Sequence, residues 1–237
     1  MKYRKDYQKI KNNYIYLNQI ERLILWSRFK ITPIDSLLDF VPSRGRLLDL
    51  GCGFGSFAYF FAFLYPQLEI TAIDPAEDRI SLAKKVYFHP SNLSFASKDI
   101  KEITQNYFDA ITIIDVIYLI PPENQFELFK HCFISLKKGG SLIIKSMNKE
   151  RFFRFFLITS TNKVLTWIFG VVRILFFFSP KARSFLNRIA GTRHGVYNFC
   201  SPYQTKKQLE ENGFKVEIYD ATIFNSVYPS IIYMCIK

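Results

Sequence analysis

The stretch Leu47-Leu48-Asp49-Leu50-Gly51-Cys52-Gly53-Phe54-Gly55 decides the fold of this chain. The pattern indicates a buried strand, then a glycine-rich turn, then the start of a helix. Glycine lacks a Cβ atom and tolerates positive φ, so such a turn lets a ligand approach bare backbone. The helix that follows presents unpaired N–H groups. Asp49 stands two residues before the first glycine, and the stretch therefore predicts a nucleotide-like ligand at the carboxyl edge of a parallel sheet.

The composition is compatible with one sizeable α/β domain, or with one domain that carries an insertion. The chain has 237 residues, of which 49% are hydrophobic, and its net charge is +12. Its four cysteines are widely spaced and include no C-x-x-C pair, which argues against a metal cluster or a disulfide framework. We therefore expect no metal site. The charged start of the chain lacks the apolar run of a signal peptide, and we expect a cytoplasmic location.

Strand and helix patterns alternate along the chain, which predicts a doubly wound α/β sheet. The predicted strands are 46–50, 68–73, 93–96, 108–115, 141–145, 214–219 and 231–236. The predicted helices are 14–28, 34–40, 57–64, 76–87, 122–137 and 202–212. The chain then divides into N-terminal helices (1–45), a core (46–146), a basic and aromatic helical insertion (147–200), and a C-terminal helix with a β-hairpin that completes the core (201–237).

Three carboxylates follow successive predicted strands: Asp49 closes the first, Asp74 the second, and Asp99 comes after the third. The ends of parallel strands share one edge of the sheet, so these side chains are expected to converge on one ligand. Asp74 follows the glycine turn by about twenty residues, the distance at which a dinucleotide fold places a carboxylate on ribose hydroxyls. Taken singly, each of them is also suited to capping a turn or a helix.

These motifs resemble those of class I S-adenosylmethionine-dependent methyltransferases. Members of that family carry a D/E-x-G-x-G-x-G turn after the first strand, which Asp49 and the three glycines of the opening stretch match. They carry an acidic residue at the end of the second strand, matched by Asp74, and often another after the third, matched by Asp99. The resemblance covers about residues 46–146 and 202–237.

The resemblance implies a mostly parallel seven-stranded sheet with an antiparallel C-terminal strand, and S-adenosylmethionine as the cofactor. It implies that Asp49 lies near the cofactor's ammonium group, Asp74 at its ribose hydroxyls and Asp99 near its adenine amine. The implied cofactor-binding residues are Asp49, Gly51, Cys52, Gly53, Gly55, Asp74, Pro75, Asp99, Ile100 and Asp115. A nicotinamide-dependent dehydrogenase is the rival interpretation, but it would prefer G-x-G-x-x-G, and the third glycine here comes one residue early.

The segment 149–193 carries nine Lys or Arg residues and one acid, among many Phe residues. A membrane-spanning helix needs about 20 consecutive apolar residues, and Asn162-Lys163 and Arg173 interrupt this segment. One interpretation is a helical lid whose aromatic residues line an apolar acceptor pocket. Another is that residues 151–178 lie on an anionic membrane surface, with Phe and Trp167 among the headgroups. An ordinary helical subdomain with a basic face also remains open.

The candidate catalytic residues are Asp115, Tyr118, His194 and Tyr197. Asp115 ends the fourth predicted strand, where the resemblance places the cofactor's methyl group, although it is equally suited to capping the helix at Pro121-Pro122. His194 stands on a glycine-flanked loop, and histidine can remove a proton from a hydroxyl near neutral pH. A lone histidine on a loop can also be an exposed residue without a catalytic role.

The sequence therefore predicts an enzyme that transfers a methyl group to O, N or C of a small apolar molecule or lipid, in the cytoplasm or at the inner face of the membrane. An RNA-modifying methyltransferase is an alternative, because loose positive charge binds any polyanion. However, the turn Asp115-Val116-Ile117-Tyr118 lacks the N-P-P-Y sequence of base-methylating enzymes, which argues against nucleic acid. A non-catalytic nucleotide-binding or membrane-surface module is the alternative from another class.

Overall fold

The computed structural model describes residues 10, 12–14, 25, 29, 32–148, 198, 200–221 and 230–237. The strands are β1 Arg44–Leu50, β2 Gln67–Ile73, β3 Leu93–Ala96, β4 Phe108–Ile114, β5 Leu136–Met147, β6 Lys215–Asp220 and β7 Ser230–Ile236. The α-helices within the described residues are α1 Ile34–Leu38, α2 Ser56–Leu64, α3 Glu77–Lys84, α4 Pro122–Ser135 and α5 Pro202–Glu211. Two 3₁₀ turns span Ile100–Glu102 and Ile117–Leu119.

The strands form a seven-stranded sheet in the order β3-β2-β1-β4-β5-β7-β6. The first five strands pair in parallel, whereas β7 is antiparallel to both β5 and β6. The predicted doubly wound sheet with an antiparallel C-terminal strand is therefore confirmed. The chain moves outward from β1 to β3 and then returns to β4 on the other side of β1. Open α/β sheets bind their ligands at such a reversal, beyond the carboxyl ends of the strands.

Helices cover both faces of the sheet, and the face that carries α2 is covered by a further layer of N-terminal residues. The Phe29 ring lies 5.2 Å from the Phe57 ring and 5.9 Å from the Phe60 ring of α2. Because α2 is buried on its sheet side and on its outer side, apolar residues occupy its whole circumference. The N-terminal residues in this core are Ile10, Tyr14, Leu25 and Phe29. Helices α4 and α5 pack on the opposite face.

Helices α3 and α4 end three and two residues earlier than the sequence predicts. Helix α4 stops at Ser135 because Leu136 already pairs with Phe108 at the start of β5, well before the predicted strand start at residue 141. Helix α3 stops at Lys84 because the following backbone is bound by the N-terminal segment. The amides of Tyr87 and Phe88 donate to the backbone and side-chain oxygens of Asn13 at 3.0 and 2.6 Å.

Other predicted elements fall partly or wholly outside the described residues. Most of the predicted helix 14–28 lies there, and so does the insertion 147–200 except for residues 147, 148, 198 and 200. The proposed lid or membrane-surface segment at 151–178 therefore stays a prediction. Among the residues that the structure does describe, no helix is long and apolar enough to cross a membrane.

Candidate functional site

The glycine turn after β1 requires glycine for two separate reasons. Gly51, Gly53 and Gly55 have φ values of +75°, +56° and +74°, in the left-handed region that side chains with a Cβ disfavour. Neighbouring side chains also leave no room for a Cβ. One on Gly51 would lie 2.6 Å from Cγ2 of Val116, and one on Gly55 would lie 2.5 Å from Cε1 of Phe95. The turn therefore presents bare backbone between β1, β2 and β4.

Asp74 fixes the shape of this turn from the end of β2. Its Oδ2 accepts a hydrogen bond from the Gly53 amide at 3.0 Å, and its Oδ1 accepts one from the Ala76 amide at 2.9 Å. Each carboxylate oxygen can accept a second hydrogen bond. The almost fully buried Asp74 thus combines a structural role with spare acceptor capacity for two ligand hydroxyls. Its contact with ribose stays a prediction.

Two buried polar groups lie near the glycine turn. Within the described ranges, Ser56 Oγ and Arg79 Nη2 are buried and have no hydrogen-bond partner. Ser56 begins α2 directly after the turn, and Arg79 Nη1 lies 3.9 Å from Asp74 Oδ2. An unpaired buried polar group costs about 1–3 kcal/mol. The bare backbone of the turn and the Asp74 carboxylate fit the nucleoside part of S-adenosylmethionine.

Asp49 is a buried carboxylate at the end of β1. It pairs in register with Thr112 of β4, and its Oδ1 accepts a hydrogen bond from Thr112 Oγ1 at 2.9 Å. A buried carboxylate next to the turn suits a ligand that carries an ammonium group, because opposite charges attract strongly away from water. Its assignment to the cofactor's ammonium group stays a prediction.

Asp99 has the capping role that its position after β3 also allowed. Its Oδ1 accepts a hydrogen bond from the Lys101 amide at 3.0 Å, and its own amide donates to Glu102 Oε1 at 2.8 Å. This reciprocal pair begins the 3₁₀ turn, in which Ile100 is buried. Asp99 and Pro75 are exposed. The predicted contacts of Asp99, Ile100 and Pro75 with the cofactor remain predictions.

Asp115 does not cap the following helix, so that alternative is wrong. Pro121 is the N-cap of α4 and no side chain caps it, whereas Asp115 Oδ1 accepts a hydrogen bond from Lys145 Nζ at 2.6 Å. The Asp115 backbone has φ +58°, a conformation that costs a non-glycine residue about 1–3 kcal/mol and that clusters at functional sites. Thr32 Oγ1 donates to Asp115 Oδ2 at a longer 3.4 Å.

Lys145 and Thr32 contact the candidate residue Asp115 and were not predicted from the sequence. Both are almost fully buried, with 1% of each exposed. The signal for Lys145 was present, since a lysine within an apolar parallel strand has to be paired when it is buried. Thr32 gave no such signal, because threonine is common in every kind of segment.

The loop after β4 is held by the last residues of the insertion and by Gln125 of α4. The Asn198 amide donates to the Tyr118 carbonyl at 2.7 Å. Gln125 Nε2 donates to the carbonyls of Ile117 and Ile120 at 3.1 and 2.9 Å, and Cys200 Sγ donates to Gln125 Oε1 at 3.4 Å. The chain therefore returns from the insertion to the edge of the candidate site. The catalytic candidates His194 and Tyr197 lie outside the described residues.

Tyr14 braces the glycine turn from the N-terminal segment. Its hydroxyl donates to the Phe54 carbonyl at 2.7 Å, and its ring packs edge-on against Tyr59. Burial raises the pKa of the Tyr14 hydroxyl well above its usual value, and nearby Tyr59, Cys52 and Asp49 raise it further. The phenol therefore stays a neutral donor throughout the physiological pH range.

Three comparisons with known proteins agree with this geometry. A family model described as a methyltransferase domain matches residues 25–218. Human mitochondrial ubiquinone biosynthesis O-methyltransferase is 26% identical over 211 residues, which are 81% of this chain and 49% of that protein. Malonyl-[acyl-carrier protein] O-methyltransferase of Bacillus cytotoxicus is 39% identical over 107 residues, which are 45% of this chain and 37% of that protein. The chain thus spans less than half the length of these curated relatives.

The fold is also that of a solved enzyme of Synechocystis. Its magnesium protoporphyrin IX methyltransferase, with S-adenosylhomocysteine bound, matches with a TM-score of 0.61 and 18% identity. That match covers 98% of this chain and 93% of the other. At this identity the match establishes the fold.

Proposed function

Because the chain belongs to the S-adenosylmethionine-dependent methyltransferases, we propose that it methylates an O, N or C atom of a small apolar molecule or lipid. The cofactor supplies an electrophilic methyl group on a sulfonium cation, so the protein mainly has to align the acceptor lone pair with that methyl group. The glycine turn, Asp49 and Asp74 are the residues that we assign to holding the cofactor. We assign the acceptor side to the end of β4 and the loop that follows it.

The observation that carries this proposal is the surrounding of the Asp115 carboxylate. It is a buried carboxylate at the end of β4, and the half-buried Val116 and Tyr118 follow it in the loop. This position suits an acceptor with an apolar body and one hydroxyl or amine, which Asp115 would orient by accepting its hydrogen. Two similar proteins are named for ubiquinone biosynthesis and for magnesium protoporphyrin IX, and these names support a small-molecule acceptor.

Tyr118 and His194 are the other residues proposed for the acceptor side. The half-buried Tyr118 is on the loop directly after Asp115, where its phenol suits a hydrogen bond to the acceptor. We assign His194 to proton removal from an acceptor hydroxyl, because the pKa of histidine lies near neutrality. Transfer to a more acidic acceptor would need no such base.

A labelled-methyl screen tests the acceptor class. Purified protein is incubated with S-adenosylmethionine carrying a labelled methyl group and with cell extract, which is then separated into organic-soluble, RNA and protein fractions. We expect label in the organic-soluble fraction, and less of it with the Asp115→Ala variant. Label in RNA would contradict the proposal in favour of the RNA-modifying alternative. Label in no fraction, from protein that still binds the cofactor, would favour a non-catalytic module.

We further propose that residues 151–178 bind an anionic membrane surface, from which the enzyme takes its acceptor. The support is the sequence, which combines Arg151, Arg154 and Arg173 with many Phe residues. A basic residue near an anionic surface contributes about 1 kcal/mol. Replacing the three arginines by glutamine should therefore weaken vesicle binding by about 100-fold.

Flotation with vesicles of phosphatidylcholine, with and without phosphatidylglycerol, measures this binding at low and high salt. The matched control replaces Lys206 and Lys207 by glutamine, two basic residues of α5 that pair with Glu210 and Glu211. We expect salt-sensitive flotation with anionic vesicles for the wild type and for this control. Flotation that does not depend on salt, or that is retained after the arginine replacements, would exclude the membrane-surface assignment.

A further inference from the structure

The buried ion pair Asp115–Lys145 joins the ends of β4 and β5, next to the residue that contacts the glycine turn. Its two side chains are 5% and 1% exposed, and 2.6 Å separates Asp115 Oδ1 from Lys145 Nζ. Val116, the residue after Asp115, packs so closely on Gly51 that a Cβ there would lie 2.6 Å from Val116 Cγ2. The pair is therefore one residue away from the side chain that contacts the turn assigned to the cofactor.

Lys145 can act on a ligand only through Asp115. Its ammonium group is inaccessible, and its side chain makes the short ion pair while its carbonyl accepts a hydrogen bond from the Asp115 amide at 3.0 Å. These two contacts hold Asp115 from both its backbone and its side chain in the left-handed conformation. The residue is thus fixed in position, and its negative charge is balanced.

The charge balance matters because methyl transfer changes the charge of the cofactor. The S–CH₃ bond breaks and its electron pair stays on sulfur, the acceptor lone pair forms the new bond to carbon, and the acceptor's proton leaves. A cationic sulfonium thereby becomes a neutral thioether. An unbalanced buried carboxylate nearby would attract the cation and not the neutral product. Such ground-state attraction would raise the barrier to transfer.

We propose that Lys145 is a positioning residue that neutralises Asp115, so that the site binds the cationic cofactor without excessive preference over its neutral product. Asp115 then offers the acceptor a hydrogen-bonding oxygen without placing a net negative charge beside the sulfonium. The inference rests on S-adenosylmethionine as the cofactor and on the described geometry. It is independent of the acceptor class proposed above, so a failed acceptor screen would leave it untouched.

The test is the ratio of the dissociation constants of S-adenosylhomocysteine and S-adenosylmethionine, measured by titration calorimetry. Lys145→Met leaves a lone negative charge and should raise the ratio about tenfold, whereas Asp115→Asn leaves a lone positive charge and should lower it about tenfold. The double variant has neither charge and should return within about twofold of the wild-type ratio. A merely structural role would weaken both ligands alike and leave the ratio unchanged.

The control variant is Lys137→Met. It breaks another 2.6 Å ion pair, between Lys137 near the start of β5 and Asp109 near the start of β4. This variant should leave the ratio of dissociation constants unchanged. Titrations are run at about pH 7 and about pH 9, because a buried carboxylate that loses its cation can take up a proton instead. Circular dichroism checks folding, and either single variant suffices if the other does not fold. A wild-type ratio in the folded single variants at both pH values would overturn the proposal.

Discussion

Replacing Asp74 by alanine is expected to weaken S-adenosylmethionine binding by about 100-fold. The carboxylate accepts hydrogen bonds from the Gly53 and Ala76 amides, so its loss removes the support of the glycine turn. It also removes the acceptors that we assign to the ribose hydroxyls. Two charge-assisted hydrogen bonds together contribute about 3 kcal/mol, which corresponds to a change of about 100-fold in the dissociation constant.

Titration calorimetry with the cofactor and with S-adenosylhomocysteine measures the effect of Asp74→Ala. Both ligands should lose affinity equally, because their ribose groups are the same. The matched control is Asp78→Ala, which removes an exposed carboxylate from the first turn of α3 and should change neither affinity. Asp74→Asn keeps one acceptor oxygen and should fall between the wild type and the alanine variant. Equal affinities for Asp74→Ala and the wild type would remove Asp74 from the cofactor site.

The sheet could be predicted from the sequence because its signals are local. A parallel strand that is covered on both faces shows as an apolar run, and β4 is such a run. The glycine turn follows from three residues within five positions. Strand limits were less accurate, since they depend on partners elsewhere in the chain. Leu136 belongs to β5 because it pairs with Phe108, and nothing near Leu136 in the sequence indicates this pairing.

The polar part of the site could not be predicted because its contacts join distant positions. Lys145 and Asp115 are 30 residues apart, Tyr14 and Phe54 are 40 apart, and Thr32 and Asp115 are 83 apart. Contacts between such distant positions can be identified only when the three-dimensional fold is known. Asp115 was predicted to be either a ligand contact or a helix cap; its contact with Lys145 and the uncapped start of α4 exclude the cap, and the ligand contact stays a prediction. The Asp99 side chain makes the capping contact that the sequence also allowed, in a 3₁₀ turn, and its contact with the cofactor stays a prediction.

Replacing Gly51 by alanine is expected to destabilise the fold by about 3 kcal/mol and to weaken cofactor binding by about 100-fold. At φ +75°, a residue with a Cβ costs about 1–2 kcal/mol. Forcing that Cβ to within 2.6 Å of Val116 Cγ2 adds a packing cost of about 1–3 kcal/mol. Relief of this overlap requires Val116 to move, and Val116 adjoins Asp115. The substitution should therefore disturb both the glycine turn and the end of β4, which we assign to the acceptor.

The control variant Gly139→Ala separates the two costs of the Gly51 substitution. Gly139 has φ +77°, but a Cβ there meets no described atom within 4 Å, so this variant should lose only about 1 kcal/mol and keep full cofactor affinity. The double variant Gly51→Ala/Val116→Ala should recover part of the packing cost and none of the backbone cost. Urea unfolding and titration calorimetry measure both quantities. Equal destabilisation by the two glycine substitutions would show that Val116 can move at no cost in free energy. The close contact between Val116 and the glycine turn would then not determine the shape of the site.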